Sequence, residues 1–90
     1  MTLAEYLEVS RHEALGWPGG TRTWRILNLL VQGFEVASFG SAARVPLLNC
    51  YAVLRDVVPK GADAELQAEA KRYLTEVATA LQRLAGEGPT

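Results

Sequence analysis

The sequence predicts an all-α protein, a compact four-helix bundle with short loops. Apolar residues recur at spacings of three and four along most of the chain, as they do on the buried face of a helix. Glycine or proline separates these stretches, and no stretch alternates apolar and polar residues as a half-buried strand would. The chain has 90 residues, of which 49% are hydrophobic and 21% charged, so we expect one globular domain.

The first helix is predicted over residues 2–15. Thr2 and Glu5 have the spacing of a capping box, in which each side chain accepts a hydrogen bond from the backbone N–H of the other residue. Gly16 marks the end of this helix, because glycine is common just beyond a helix C-terminus.

The second helix is predicted over residues 21–39, with Thr21 or Thr23 as its N-cap. Gly33 lies inside this range, where it costs about 1 kcal/mol relative to alanine. The polar residues of the segment recur at spacings of three, four and three and so form one narrow stripe, Arg25, Asn28, Gln32 and Glu35.

The third helix is predicted over residues 43–58, with Pro46 in the first turn, where its missing N–H does no harm. From residue 45 to residue 58 the clearly polar side chains are few: Asn49, Arg55 and Asp56. A helix that is apolar on nearly every side lies either at the centre of a bundle or in an interface. A buried strand is the rival interpretation, because valine and tyrosine are present, but the length of the run favours a helix.

The fourth helix is predicted over residues 63–85, with Asp63 as its N-cap. Its apolar residues follow a heptad-like spacing of four, three, four, three and four: Leu66, Ala70, Tyr73, Val77, Ala80 and Leu84. Charged residues at i,i+3 and i,i+4 spacing are expected to pair on its outer side: Glu69, Arg72 and Glu76. A frayed tail is predicted over residues 86–90.

The loop between the first two helices, residues 16–24, reads G-W-P-G-G-T-R-T-W. A phosphate-binding P-loop needs G-x-x-x-x-G-K-[ST] after a buried strand. Here Thr21 stands at the position of the second glycine, Arg22 replaces the lysine, and a helix precedes the loop. We therefore expect a helix–helix connection in which a tryptophan, Trp17 or Trp24, packs on the core.

The net charge and the cysteine content limit the classes of protein to which this chain can belong. The net charge is −1, so no overall field attracts the chain to nucleic acid or to an anionic membrane. Cys50 is the single cysteine, which excludes an intrachain disulfide and fits a reducing compartment. We expect a cytoplasmic protein, because the chain has neither a signal-peptide pattern nor an apolar stretch of the ~18–20 residues that span a bilayer.

The residues that carry chemistry are too few to predict a catalytic or metal site. His12 is the single histidine, whereas a zinc site needs about four ligands. The run around Cys50, residues 48–51, offers no base that would activate its thiol, although His12 could approach it in the folded chain. The carboxylates show no spacing that indicates general acid–base catalysis. The sequence therefore predicts that the protein is not an enzyme, with no catalytic residue, metal, cofactor or small-molecule substrate.

The surplus of apolar helix surface indicates a protein–protein interaction module. One small bundle offers too few neighbours to cover the third helix on every side, and the fourth helix adds a long apolar seam. We expect a homo-oligomer, such as a homodimer, or an accessory or regulatory subunit that docks on a larger partner. The candidate contact residues are Trp17, Trp24, Phe34, Phe39, Tyr73, Val77 and Leu84.

The alternative is a small helical subunit of a nucleoprotein complex. Between residues 21 and 55 four arginines stand against one acid, Glu35, a local charge of +3. They are candidate contacts to the phosphate backbone of a nucleic acid: Arg22, Arg25, Arg44 and Arg55. This alternative predicts that the arginines share one face. Asn28, Gln32 and Asn49 either fix the register of buried helices or lie at an interface.

Overall fold

The structure is a computed structural model that describes residues 1–86. Over these residues it contains four α-helices, which we call α1 (Leu3–Val9), α2 (Thr21–Val31), α3 (Arg44–Ala52) and α4 (Ala64–Gly86). With its short 3-10 and π turns the described part is 76% helical, and it contains no strand. The all-α four-helix fold predicted from the sequence is therefore confirmed.

Helix α1 begins as predicted and ends earlier. The capping box at Thr2 and Glu5 is present, but the helix ends at Val9 and the chain continues into a 3-10 turn, Glu13–Gly16. The prediction of a helix to residue 15 is thus wrong at its C-terminal end. The turn brings the indole of Trp17 back against Tyr6, with the rings nearly parallel at 5° and their centroids 6.3 Å apart. Burial of this aromatic pair outweighs the helical tendency of the intervening residues.

Helix α2 ends at Val31 rather than at residue 39. Gly33 has a φ of +101°, and its N–H donates to Leu30 O while the N–H of Phe34 donates to Leu29 O. These two bonds form the Schellman motif that ends many helices, in which glycine readily takes the left-handed backbone. Gly33 therefore stops the helix instead of lying inside it.

The N-terminus of α2 also differs from the prediction. The N-cap is Gly20, with no side-chain capping bond, and neither Thr21 nor Thr23 caps the helix. The hydroxyl of Thr23 instead donates to Pro18 O in the preceding loop. Beyond the end of α2 the chain runs through two 3-10 turns, Val36–Ser38 and Ser41–Ala43.

Helix α3 is a helix and not a strand, and it continues into a π-helical turn, Val53–Val57. It packs against α2 and α4 on two of its sides. Its outward side faces solvent, where Val45 and Leu48 are 65% and 50% exposed. The helix therefore lies between two neighbours, but one apolar side has no cover from the described residues.

Helix α4 follows its predicted pattern most closely. The Asp63 carboxylate caps it by accepting from the N–H of Leu66 at 2.8 Å, and every position of the predicted apolar seam is buried. The predicted ion pairs do not form. Arg72 lies over the ring of Tyr73, 4.7 Å from its centroid, and Glu69 accepts from the N–H of Leu3 in α1. Gly86 belongs to the helix, and the rest of the predicted tail lies outside the described residues.

One core unites the four helices. The largest fully buried side chains come from every helix and from the π turn, and they include Leu3, Leu7, Leu27, Leu47, Leu54, Val77 and Leu84. Pro46 is buried in the first turn of α3, at the position predicted for it.

Candidate protein-binding surface

The glycine-rich loop is a helix–helix connection that packs closely on the rest of the fold. Gly19 and Gly20 have φ values of +76° and +58°, a backbone that glycine adopts without strain. A Cβ atom added at Gly19 would overlap the Thr23 hydroxyl in α2 and would lie 2.7 Å from Nδ2 of Asn49 in α3, so the loop backbone lies close to both helices. Trp17 is buried, as expected for a connection that packs on the core.

Trp24 joins α1 to α2. Its indole N–H donates to Leu7 O at 2.7 Å, and the Arg11 guanidinium lies 5.4 Å from its ring centroid. The ring is half-buried between these elements, so most of the contacts that it can make are formed within the chain.

Most of the predicted contact residues lie inside the fold. Four of the seven are buried: Trp17, Tyr73, Val77 and Leu84. Val77 and Leu84 offer no surface to a partner because the α4 seam packs on the other helices of the same chain, whereas the edge of Tyr73 reaches an open groove. Phe34 is exposed and Phe39 half-buried, and their ring centroids lie 5.0 Å apart.

Phe34 lines an open groove of about 730 Å³ between the end of α2 and α4. Its apolar lining includes Leu30, Val36, Tyr73 and Ala80. The charged residues of its rim have both signs, Glu35, Arg72, Glu76 and Arg83. Arg83 also donates to Phe39 O at 2.8 Å, which ties the loop that follows α2 to α4.

The exposed side of α3 is an apolar stripe that the sequence-based list of contact residues missed. The exposed Val45 and Leu48 and the half-buried Ala52 stand at i, i+3 and i+7 and therefore share one side of the helix, with the exposed Arg44 one turn before Leu48. A surface helix normally places polar side chains there. The signal was present in the sequence as a helix with too few polar residues, but periodicity did not reveal which apolar side would stay uncovered.

The exposed side of α2 carries positive charge beside one leucine. Arg22, Arg25 and Leu29 stand at i, i+3 and i+7, and all three are exposed. Leu29 is 42% exposed. Neither arginine makes a hydrogen bond or ion pair with another residue of the described part.

Helices α2 and α3 pack against each other. The thiol of Cys50 in α3 lies 4.0 Å from Thr23 O in α2. The half-buried Asn49 precedes Cys50 at this contact and lies one turn from Val45 on the helix surface. Thr23 directly follows Arg22. We call this combined surface the α2–α3 face and define it by Arg22, Arg25, Leu29, Val45 and Leu48.

The other two predicted phosphate contacts have partners inside the chain. Arg44 donates to Leu84 O at the end of α4, at 3.2 Å. Arg55 donates twice to Asp56, at 3.0 and 2.8 Å, and its guanidinium lies 5.4 Å from the Tyr51 ring centroid. Arg44 and Arg55 stand at opposite ends of α3 and its π turn, roughly 16 Å apart along the axis at ~1.5 Å per residue. The structure therefore brings together only Arg22 and Arg25.

The three amides have different environments. Asn28 donates to Trp24 O one turn earlier in α2, at 3.0 Å. Gln32 is exposed, and Asn49 is half-buried where α3 meets the glycine-rich loop. Only Asn49 therefore lies at a contact between two elements.

The single cysteine is not placed for nucleophilic chemistry. Burial raises the pKa of the Cys50 thiol to about 12, so the thiol stays protonated near neutral pH, and a thiol is a far weaker nucleophile than a thiolate. His12 is exposed. Within residues 1–86 no three His, Cys, Asp or Glu side chains cluster in a way that could hold a metal ion.

None of the helices in residues 1–86 is both long and apolar enough to cross a membrane. No family model, curated protein or solved structure matches this chain.

Proposed function

We propose that this protein is a non-enzymatic protein–protein interaction module, an accessory or regulatory subunit that docks on a larger partner through the α2–α3 face. The observation that carries the proposal is the exposure of Val45 and Leu48 on the outer side of α3. Single exposed apolar residues are common on protein surfaces, but two of them one turn apart on α3, together with the exposed Leu29 of the helix packed against it, favour a binding surface.

The rest of the chain supports this role. The buried side chains already form one core that includes the α4 seam. Three exposed large apolar side chains of the described part, Leu29, Val45 and Leu48, lie on the α2–α3 face, while Val9 and Leu15 are exposed at α1 and the turn that follows it. The buried, protonated Cys50 suits the reducing cytoplasm that the composition predicts.

Matched substitutions test the proposal. Val45→Glu combined with Leu48→Glu places two charges on the α2–α3 face. Val9→Glu combined with Leu15→Glu makes the same chemical change at side chains that are 70% and 64% exposed elsewhere. Both double variants are expected to fold, because each changed side chain is at least half exposed.

Quantitative affinity capture from cells and light scattering on a size-exclusion column provide the readouts. We expect the α2–α3 variant to lose its captured partner roughly tenfold or more relative to wild type, while the Val9/Leu15 control retains it. Equal recovery by all three proteins would contradict the proposal. A concentration-dependent dimer that only the Val45/Leu48 variant loses would instead favour the homo-oligomer expected from the sequence.

A nucleoprotein subunit is the second candidate function. It is favoured by Arg22 and Arg25, which are exposed on one side of α2 without a partner in the described part. If these arginines contact phosphates, affinity for duplex DNA or RNA should fall steeply with salt, and each charge removed should lower that slope by about 1. No binding at 150 mM salt would exclude this candidate.

A further inference from the structure

We infer that the segment bound by the α2–α3 face is an acidic amphipathic helix of the partner protein. This inference rests on the proposed function and adds the chemistry of the occupant. It depends on two observations about the face, the length of its apolar stripe and the single sign of its charge.

The apolar stripe on α3 is about as long as the contact that a short helix makes. Val45 and Ala52 are one i,i+7 step apart, about 10 Å along α3 at ~1.5 Å per residue. Leu29 extends the apolar surface onto α2. An amphipathic helix places its anchoring side chains at i, i+3 or i+4, and i+7, so about two turns of a partner helix cover the stripe.

The charges of the face have one sign. Helix α2 contains Arg22 and Arg25 and no acid, and helix α3 contains Arg44 and no acid. The nearest acids along the chain are Glu35, which lines the Phe34 groove, and Asp56, which accepts two hydrogen bonds from Arg55. Acidic residues flanking the apolar anchors of a partner would therefore meet unpaired guanidinium groups, which favours association and selects against basic partners.

The same charges disfavour a second copy of this chain as the occupant. A two-fold symmetric pair would bring the α2–α3 faces of both copies together. Arg22 and Arg25 of each copy would then share an interface to which neither helix contributes a carboxylate. Like charges at an interface are unfavourable, so an acidic partner suits this face better than self-association.

The charges around the Phe34 groove do not indicate the charge of a partner. Glu35 and Glu76 line its rim together with Arg72 and Arg83. Because both signs are present, complementarity of charge favours neither an acidic nor a basic ligand at that groove.

An unbiased selection tests the sign of the partner's charge. A displayed library of helix-forming peptides, about 20 residues long and randomised on all sides, is selected on the wild-type protein. Clones that also bind the Val45→Glu/Leu48→Glu variant are removed. We expect the remaining clones to be enriched in Asp and Glu beside apolar residues at i, i+3 or i+4, and i+7.

The arginines are then tested with the strongest clone as the probe. Arg22→Ala combined with Arg25→Ala should weaken its binding roughly 3- to 30-fold and reduce its salt dependence. Lys60→Ala combined with Lys71→Ala removes the same net charge at exposed sites elsewhere and should leave the affinity within about twofold of wild type.

The outcomes separate this inference from the proposed function. Clones that depend on Val45 and Leu48 but are basic or neutral would overturn the acidic partner and leave the interaction module standing. A selection without such clones would overturn both. Binding of duplex DNA or phosphatidylserine vesicles at 150 mM salt that requires Arg22 and Arg25 would also overturn the acidic helix, in favour of a phosphate-bearing ligand.

Discussion

Replacing Gly19 with alanine tests whether the glycine-rich loop is held against α3. Gly19 and Gly61 have similar φ values, +76° and +71°. A Cβ atom at Gly19 would overlap the Thr23 hydroxyl and would contact Nδ2 of Asn49 at 2.7 Å, whereas one at Gly61 meets nothing within 4 Å. The left-handed backbone costs alanine about 1–2 kcal/mol at either site. The forced contact adds about 1–3 kcal/mol at Gly19 alone, so we expect losses of about 2–5 kcal/mol for Gly19→Ala and about 1–2 kcal/mol for Gly61→Ala.

Urea unfolding at pH 7, followed by tryptophan fluorescence, measures these losses. A domain of this length has about 5–13 kcal/mol of stability, so the difference between the two variants is readily resolved. Adding Asn49→Ala removes one of the opposing atoms and should recover part of the loss at Gly19, which a double-mutant cycle detects. Equal destabilisation by Gly19→Ala and Gly61→Ala would refute the close approach of the loop to α3.

Three further predictions concern the core, the thiol and the α1–α2 contact. Leu84→Ala should cost about 2–5 kcal/mol in the same urea assay, and Leu15→Ala less than about 0.5 kcal/mol, because only Leu84 is buried; similar losses would contradict the described core. Burial raises the pKa of the Cys50 thiol from 9.0 to about 12, so the unfolded chain releases this proton first and stability falls as the pH rises above 9. Between pH 8 and pH 10 wild type should lose about 1.4 kcal/mol more than Cys50→Ala, and parallel pH profiles would show that the pKa is unshifted. Trp24→Phe removes the hydrogen bond to Leu7 O and should cost about 1 kcal/mol in urea unfolding, whereas unchanged stability would show that this bond contributes nothing.

Features that depend on near neighbours in the chain were predicted from the sequence. The capping box at Thr2 and Glu5, the Asp63 cap and the apolar seam of α4 all occur where their spacing indicated. Each involves residues separated by a few positions, and helical geometry alone brings such residues together.

Helix ends were harder to predict because distant contacts compete with local tendency. Apolar spacing continued past Val9 and past Val31, yet α1 and α2 end there. The stacking of Trp17 on Tyr6 bends the chain after α1. After α2, Gly33 fits both a helix interior and a C-terminal stop, and only the hydrogen bonds around it decide between them.

The candidate surface depended on tertiary structure most of all. The sequence by itself determined that the chain is helical, that its third helix has too few polar residues to be an ordinary surface helix, and that its arginines concentrate in the middle of the chain. Only the tertiary structure decided that Val77 and Leu84 are covered by the chain's own helices while Val45 and Leu48 are not. The reason is physical: hydrophobic burial is non-directional. Periodicity therefore shows that a side of a helix is apolar, and only the packing of all four helices shows which apolar side remains exposed.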